Sequence, residues 1–197
     1  MGRTPPSRRR GRPREAGLDR RILQAALDQL AALGFERMSL EAVAAQAGVT
    51  KPTLYRRWKS KADLATAALR MLQQSTFPPP TGNARQDVIA NLREFQACLL
   101  RPNGMRMIGT LLVEEQRLPG LMRLFRERIV KTRRAALRRI LADAVKRGEL
   151  DKRADIEAAL NCMVGAYYAR YLAQGKFPAD WPERTAGVAL DGLPWRQ

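Results

Sequence analysis

Apolar residues recur at the three- and four-residue spacing of an α-helix along most of this 197-residue chain. No segment shows the sustained apolar–polar alternation, rich in β-branched residues, that is typical of a half-buried strand. Glycine, proline and potential N-cap residues interrupt the helical pattern at short intervals. The pattern predicts an all-α protein of about nine helices, whose apolar stripes are buried by packing helix against helix.

Four helices are predicted in the first 75 residues, with ends set by capping signals. Glycine can end a helix, and a serine or threonine hydroxyl can cap the next one. By these signals the helices run from Leu18 to Gly34, from Ser39 to Gly48, from Thr50 to about Trp58, and from Ser60 to Leu72.

A proline-rich segment separates these helices from five more. The later helices are predicted at about 84–100, 104–116, 119–147, 154–174 and 180–192, between glycine and proline signals. The predicted organisation is a disordered basic arm at 1–17, a three-helix helix-turn-helix domain at 18–75, a linker at 76–83 and a helical domain at 84–197.

The absence of histidine from the sequence excludes several catalytic and metal-binding chemistries. No imidazole base, Ser-His-Asp system or His-ligated zinc can form. The two cysteines, Cys98 and Cys162, form no CxxC pair, and no glycine-rich phosphate loop is present. We therefore predict no enzyme and no cofactor. The sequence does not exclude a disulfide between these two cysteines, although two buried thiols in a reducing cytosol are the favoured interpretation.

The formal net charge of +17 indicates a polyanionic partner. Nucleic acid is favoured over an anionic membrane or an acidic protein. No apolar run reaches the length of a membrane span, and no apolar segment of a secretion signal follows the basic N-terminus. A cytoplasmic protein without membrane contact is therefore expected.

The N-terminal arm carries the densest positive charge, in the sequence RTPPSRRRGRPR. Such a composition cannot form a packed core. Within it, Arg10-Gly11-Arg12-Pro13 resembles the core of an AT-hook, in which arginines enter an A·T-rich minor groove. Arg10 and Arg12 are therefore candidate DNA contacts. The alternative is a solubilising tail that touches phosphates without sequence preference.

The stretch around residues 39–61 has the chemistry of a helix-turn-helix. Gly48-Val49-Thr50 can form a tight turn, in which glycine takes a positive φ and threonine caps the next helix. Donor-rich side chains then surround one apolar anchor, Leu54. This arrangement is typical of a helix that lies in the major groove of DNA. An ordinary amphipathic helix with a solvated basic face is the alternative.

The helix-turn-helix residues and their neighbours also resemble a known family of proteins. Residues 18–72 resemble the DNA-binding domain of the TetR family of bacterial transcriptional regulators, most closely in GVTKPTLYRRWKSKADL at 48–64. Trp58 stands where phenylalanine is commoner in the family, and Pro52 where glycine is common. Tryptophan keeps the large size of the side chain, and proline keeps the role in the turn. The resemblance implies a homodimer whose C-terminal helices form an effector pocket and a four-helix subunit interface.

The resemblance also implies roles for residues of the turn and of the third helix. Contacts to bases or the adjacent backbone are expected from Lys51, Pro52, Thr53 and Tyr55, and contacts to phosphates from Thr50, Arg56, Arg57 and Lys61. Glu41 could accept a hydrogen bond from cytosine N4. The favoured alternative is that Glu41 simply lies at the N-terminus of its helix, because acidic residues are favoured in a first turn.

Methionine and aromatic residues among the later helices suit either an adaptable ligand pocket or plain core. The predicted ligand-binding residues are Phe95, Met105, Leu111, Glu115, Met122, Phe125 and Tyr167. A separate run, Arg123, Arg126, Lys131, Arg134 and Arg138, is interpreted as a solvated face. An anionic effector or a nearby phosphate is the alternative partner of that run.

The helix predicted at 154–174 is apolar nearly all round and should therefore be covered on both sides. Small side chains form a stripe along it that would allow another helix to approach closely: Ala158, Cys162, Gly165 and Ala169. We interpret this stripe as part of the subunit interface, and an internal core helix is the alternative.

Together these patterns predict a homodimeric transcriptional regulator. It would act as a repressor that binds a palindromic double-stranded operator and leaves it when a small-molecule effector binds. The alternative is an architectural protein that binds DNA broadly through its charge, without ligand control.

Overall fold

Helices are the only regular elements in the residues that the structure, a computed structural model, describes: 16–71 and 77–192. The nine helices are α1 (Ala16–Arg37), α2 (Leu40–Ala47), α3 (Lys51–Tyr55), α4 (Lys61–Met71), α5 (Ala84–Leu100), α6 (Gly104–Val113), α7 (Pro119–Phe125, Arg126–Val130 and Lys131–Lys146 in succession), α8 (Ile156–Gln174) and α9 (Trp181–Asp191). The predicted fold class is confirmed. None of these helices is long and apolar enough to cross a membrane.

Two of the predicted side-chain caps are present. The Ser39 hydroxyl accepts from the Ala42 N–H at 3.0 Å, and the Ser60 hydroxyl accepts from the Asp63 N–H at 3.0 Å. Each bond satisfies one donor that the first turn of a helix leaves without a partner. The expected Thr50 cap is wrong, because its hydroxyl pairs with that of Thr53 at 3.0 Å and makes no cap bond to α3.

Three helix ends differ from the predictions. Gly34 leaves the helical conformation as expected, at φ 79°, but α1 resumes beyond this kink for one more turn. The backbone after α3 forms turns rather than helix as far as Trp58, so α3 has only five residues. Helix α6 ends three residues before position 116. The predicted helix 119–147 is continuous but contains a π-helical segment, Arg126–Val130.

The first hydrophobic core joins α1–α4 to α6 and to the start of α7. Ile22, Leu30 and Leu54 are almost completely buried within it, and Met107 of α6 and Met122 of α7 belong to the same cluster. Burying a side chain of this size contributes roughly 1.5–3 kcal/mol. The first four helices therefore share one core with the later helices, through α1 against α6 and α4 against α7, and a displacement of α6 must disturb α1.

A second core lies among α5, the later part of α7, α8 and α9. Its centre is Tyr167, which is fully buried. The Tyr167 hydroxyl donates to the Leu92 carbonyl oxygen at 3.3 Å, and its ring meets the Phe95 ring edge to face, 5.1 Å between centroids. A buried tyrosine needs such a partner for its hydroxyl. Tyr167 therefore fixes α8 against α5.

A buried carboxylate organises the entry to α5. Asp87 accepts from the Thr81 N–H at 2.8 Å, the Thr81 hydroxyl at 2.7 Å and the Gly82 N–H at 3.2 Å. Burial raises the pKa of Asp87, but these hydrogen bonds, together with the charge of Arg147, outweigh it and hold the pKa below its usual value. The charged form is therefore favoured in the folded protein.

Replacing Asp87 with alanine should lower the free energy of unfolding by about 1–3 kcal/mol at neutral pH, because buried donors lose a charged acceptor. A carboxylate whose pKa is depressed on folding contributes stability above its unfolded pKa, about 3.9, and that contribution is lost as the pH falls through the folded value. Urea unfolding of both proteins should therefore show a constant difference above about pH 5 that shrinks in acid. Asp180→Asn, at an exposed carboxylate, is the control and should leave the free energy of unfolding at neutral pH unchanged. A pH-independent difference would contradict this role.

Candidate nucleic-acid interface and interior cavity

A left-handed glycine makes the turn between α2 and α3. Gly48 has φ 65°, and its N–H donates to the carbonyl oxygens of Ala44 and Ala45 at the end of α2. A residue with a Cβ is strained at such a φ. Val49 packs against the first core and Leu54 is 1% exposed, so α3 is held by its apolar side. The opposite side faces solvent.

The solvent side of α3 carries donors and one aromatic ring. Lys51, Pro52, Tyr55 and Arg56 are exposed, and Thr53 is half-buried between them. The Lys51 ammonium lies 5.9 Å from the centroid of the Tyr55 ring. These side chains share the solvent-facing side of a short helix, which suits insertion into a major groove.

An ion pair joins the two helices of the motif. The Lys51 ammonium donates to the Glu41 carboxylate, whose pKa is held below its usual value mainly by this hydrogen bond. The same bond raises the pKa of Lys51. Glu41 therefore has a third role that the sequence did not suggest, because it places the Lys51 side chain. The sequence separation of ten residues hides such a contact.

Two of the predicted phosphate contacts, Arg57 and Lys61, are bonded to residues of α1. Arg57 donates to the Asp19 carboxylate at 2.6 Å and to the Thr53 carbonyl oxygen at 3.3 Å, which ties the end of α3 to α1. Lys61 donates to the Glu36 carbonyl oxygen at 3.0 Å, and its ammonium lies 4.6 Å from the Phe35 ring centroid. Both cations, which we call the rim of the motif, are therefore anchored to α1, and Arg57 is charge-paired with Asp19.

The predicted contacts of the N-terminal arm, Arg10 and Arg12, lie outside the residues that the structure describes. The same is true of the start of the predicted linker, because residues 72–76 are also outside the described ranges. Within those ranges, no group of three or more histidine, cysteine, aspartate or glutamate side chains could hold a metal ion.

A cavity of about 410 Å³ lies where the two cores meet. Side chains of α1, α5, α6, α7 and α8 enclose it, together with the loop before α6. Its apolar lining consists of Leu27, Phe77, Phe95, Leu99, Pro102, Met107, Ile108, Phe125, Ile129, Val130, Leu137 and Val164. The π-helical segment of α7 supplies two of these residues, and such segments are frequent at functional sites. The volume suits a small organic ligand.

Two groups of polar side chains face this cavity. On α7, Arg133 donates to the Cys98 sulfur at 2.9 Å, and Arg134 is bonded to Glu157 and Asn161 of α8. On α1, Asp28 accepts from amide groups on three sides: those of Gln24, Gln46 and Asn103, at 2.9, 3.0 and 2.5 Å. One wall therefore carries two arginines, of which Arg134 is ion-paired with Glu157, and the α1 wall carries a carboxylate surrounded by amides.

The two halves of the chain match a known family. Residues 22–68 match the family described as bacterial regulatory proteins, tetR family, and residues 78–189 match the tetracyclin repressor-like C-terminal domain. The chain belongs to the TetR family. It is therefore a helix-turn-helix transcriptional regulator, and the family predicted from residues 18–72 is confirmed.

Relatives of this TetR-family chain are named as transcriptional regulators, and a solved structure shares its fold. It is 35% identical over 169 residues to the uncharacterized HTH-type transcriptional regulator Mb1581 of Mycobacterium bovis, covering 85% of this chain and 81% of that protein. It is 41% identical over 85 residues to the DNA-binding transcriptional repressor TetR of Mycobacteroides abscessus, covering 42% and 43%. The solved structure of FadR from Bacillus subtilis in complex with stearoyl-CoA shares the fold, with TM-score 0.68, 18% identity and coverage of 89% and 99%.

The cavity of this TetR-family regulator includes only two of the seven predicted ligand residues, Phe95 and Phe125. The other five lie elsewhere: Leu111 and Met122 in the first core, Tyr167 and Met105 in or against the second core, and Glu115 in an ion pair with Arg126. The prediction missed Asn91, Arg133 and Tyr168, which line the cavity. The four-residue spacing of Asn91 and Phe95 on α5 was a signal that both share one face.

The small-residue stripe of α8 lies on the outside of the regulator. Ala158, Cys162, Gly165 and Ala169 are all exposed, so the expectation that Cys162 is a buried thiol is wrong for a single protomer. Both cysteines are free. Beside the stripe, Leu172 of α8 and Val188 of α9 are 84% and 83% exposed. An exposed apolar surface of this kind is typical of an interaction site.

Proposed function

We propose that this regulator is a homodimeric repressor that binds a palindromic double-stranded DNA operator and is released from it by a small-molecule effector. The observation that carries the DNA-binding part is the exposed surface of α3, whose position is fixed by Gly48, Leu54 and the Arg57–Asp19 ion pair. A rigid helix with projecting donors can discriminate bases, because hydrogen bonds to base edges require accurate placement.

The roles on this surface follow from exposure and bonding. Lys51 and Tyr55, with Pro52 and Thr53, face the bases and the adjacent backbone. Arg56, Arg57, Lys61 and Thr50 contact phosphates at the rim. Because Arg57 and Lys61 are already anchored within the protein, they meet the backbone in a fixed position and set the depth at which α3 enters the groove.

The exposed apolar surface of α8 and α9 supports the dimer. Small residues allow two copies of α8 to approach closely, and Leu172 and Val188 would lose contact with water. Two such protomers form a four-helix interface related by a twofold axis. The two α3 helices would then reach successive major grooves, about 34–36 Å apart.

Effector control is supported by the position of the cavity between the cores. Leu27 of α1 and Met107 of α6 belong both to its wall and to the first core. Asp28 joins Asn103 of the cavity wall to Gln46 of α2. A ligand that displaces α6 or competes for Asn103 therefore acts on α1 and α2, and it shifts the equilibrium by its differential affinity for the two arrangements.

Selection of bound sequences from random duplexes tests the DNA-binding part. We expect a palindromic site bound about 10³-fold or more tightly than random DNA in competition at fixed salt. Both affinities should fall steeply as salt rises, because phosphate contacts release counterions. Equal binding to selected and random duplexes would instead support the architectural alternative and remove the repressor proposal.

A further inference from the structure

We propose that Asp28 couples the cavity to the DNA-binding helices, and that loss of the hydrogen bond from Asn103 to Asp28 is the event by which an occupied cavity weakens DNA binding. This inference rests on the proposed effector control and names the contact that transmits it. Both the shared apolar core and the hydrogen bonds of Asp28 lead from the cavity to α1, and the control is assigned to the hydrogen bonds. They form a continuous series from the cavity wall to the end of α2.

Asn103 is fixed to the helices that enclose the cavity. Its carbonyl oxygen accepts from the Met107 N–H at 2.9 Å, in the first turn of α6. The next residue, Gly104, lies so close to the end of α5 that an added Cβ would clash with the carbonyl oxygens of Cys98 and Leu99. The place of Asn103 therefore depends on both helices, and a ligand that shifts α6 also shifts the Asn103 side chain.

The bond from Asn103 to Asp28 lies at the cavity surface. The Asn103 amide donates to Asp28 Oδ1 at 2.5 Å, and both residues line the cavity. Gln24, which also lines it, donates to the same oxygen at 2.9 Å from one turn earlier on α1. Of these two bonds, the one from Asn103 joins α1 to the loop before α6. A ligand in the cavity can therefore compete for that bond directly.

The other oxygen of Asp28 holds the end of α2. Asp28 Oδ2 accepts from the Gln46 amide at 3.0 Å, and the Gln46 side-chain oxygen accepts from the Gln29 amide of α1 at 3.4 Å. Gln46 lies two residues before Gly48, whose turn leads into α3. Because one carboxylate serves both Asn103 and Gln46, a shift at the cavity wall changes the bond that places the end of α2.

Directional bonds suit this role better than the core does. The burial of apolar surface has no preferred direction, whereas a hydrogen bond weakens steeply when its angle changes. A small displacement of α6 can therefore break the Asn103 bond while the shared core stays packed. Asp28 is then held by the neutral amides of Gln24 and Gln46. Its carboxylate is free to turn towards water or the ligand, and the bond to Gln46 weakens.

Asn103→Asp tests the coupling without an effector. The variant sets a second carboxylate against Asp28, so repulsion breaks the bond at nearly unchanged side-chain volume. Fluorescence anisotropy on the full-length protein should show an affinity for the selected operator about tenfold lower than that of the wild type. Gln116→Glu is the matched control, because it makes the same amide-to-carboxylate change at an exposed residue after α6. It should change the affinity by less than about twofold.

Exchanging the two groups separates coupling from a general effect of charge. In the double variant Asp28→Asn with Asn103→Asp, the amide introduced at position 28 can donate to the new carboxylate, while its carbonyl oxygen still accepts from Gln46. The double variant should therefore bind the operator within about threefold of the wild type. Asp28→Asn alone should bind weakly, because one carbonyl oxygen cannot replace both carboxylate oxygens. Urea unfolding shows that each variant is folded under the assay conditions.

Hydrogen exchange on the protein without DNA gives a second measurement. Asn103→Ala removes the donor without adding a charge. The backbone amides of residues 46–49 should exchange about threefold or more faster in this variant than in the wild type, because the end of α2 opens more often. If Asn103→Asp does not fold, Asn103→Ala decides in both measurements.

Wild-type operator affinity in Asn103→Asp would overturn the inference, and so would an affinity that the double variant does not recover. Unchanged exchange of residues 46–49 in Asn103→Ala would overturn it as well and leave the shared core as the route to α1. If the wild type itself prefers none of the selected duplexes, the repressor proposal fails instead. The exchange measurement then decides whether the cavity wall is coupled to α2.

Discussion

Replacing Leu172 with glutamate should convert the protein to a monomer and reduce its affinity for the selected operator by a factor of about 10²–10⁴. Leu172 is 84% exposed in the protomer, so the substitution removes no internal packing. In a dimer the same position would bury an unpaired carboxylate, which costs several kcal/mol. A monomer carries only one α3, so it loses the affinity that the dimer gains from binding two linked half-sites. Light scattering and fluorescence anisotropy measure the two effects.

Val113→Glu provides the matched control, because Val113 is 78% exposed on α6 and the chemical change is similar. This variant should remain dimeric and bind the operator normally. If Leu172→Glu stays dimeric while Val113→Glu becomes monomeric, the subunit interface lies on α6, and the proposed α8–α9 surface is wrong.

Tyr55→Ala should weaken binding to the operator by about 10- to 100-fold, with a much smaller change for random DNA. Tyr55 is 47% exposed and lies outside the core, so the free energy of unfolding should change by less than about 0.5 kcal/mol. The ring is lost from the surface that faces bases, while the cations at the rim remain. Lys51→Ala should lower the preference for the operator in the same way.

Anisotropy with operator and scrambled duplexes at one salt concentration separates these contributions. Leu112→Ala removes a side chain that is 59% exposed on α6, and it should change neither affinity. If Tyr55→Ala weakened binding to both duplexes equally, Tyr55 would contact the DNA backbone rather than the bases. Unchanged binding to both would remove α3 from the assigned role.

The sequence predicts those parts of the fold that depend on neighbouring residues. The Ser39 and Ser60 caps and the Gly48 turn are bonds within about four residues, and their side-chain chemistry is almost sufficient to specify them. The Thr50 cap failed because the hydroxyls of Thr50 and Thr53 pair with each other instead. Local signals therefore fail mainly where two equivalent partners lie within reach.

The candidate ligand site shows the opposite case. Methionine and aromatic residues were visible, but Leu111 and Met122 entered the first core, whereas Arg133 and Tyr168 came to line the cavity. Which face of a helix meets the core and which meets a cavity depends on its rotation against several other helices. Residue spacing within one helix does not contain that information.

By itself, the sequence determined the all-α class, the family and the position of the helix-turn-helix, because periodicity, caps and the 48–64 motif are local. Only the tertiary structure decided how α3 is held and what it is coupled to. The Arg57–Asp19 pair and the Asp28 bonds to Gln46 and Asn103 join residues 18 to 75 positions apart. Such contacts exist only after the chain has packed, because the free energy that forms them comes from the burial of both cores.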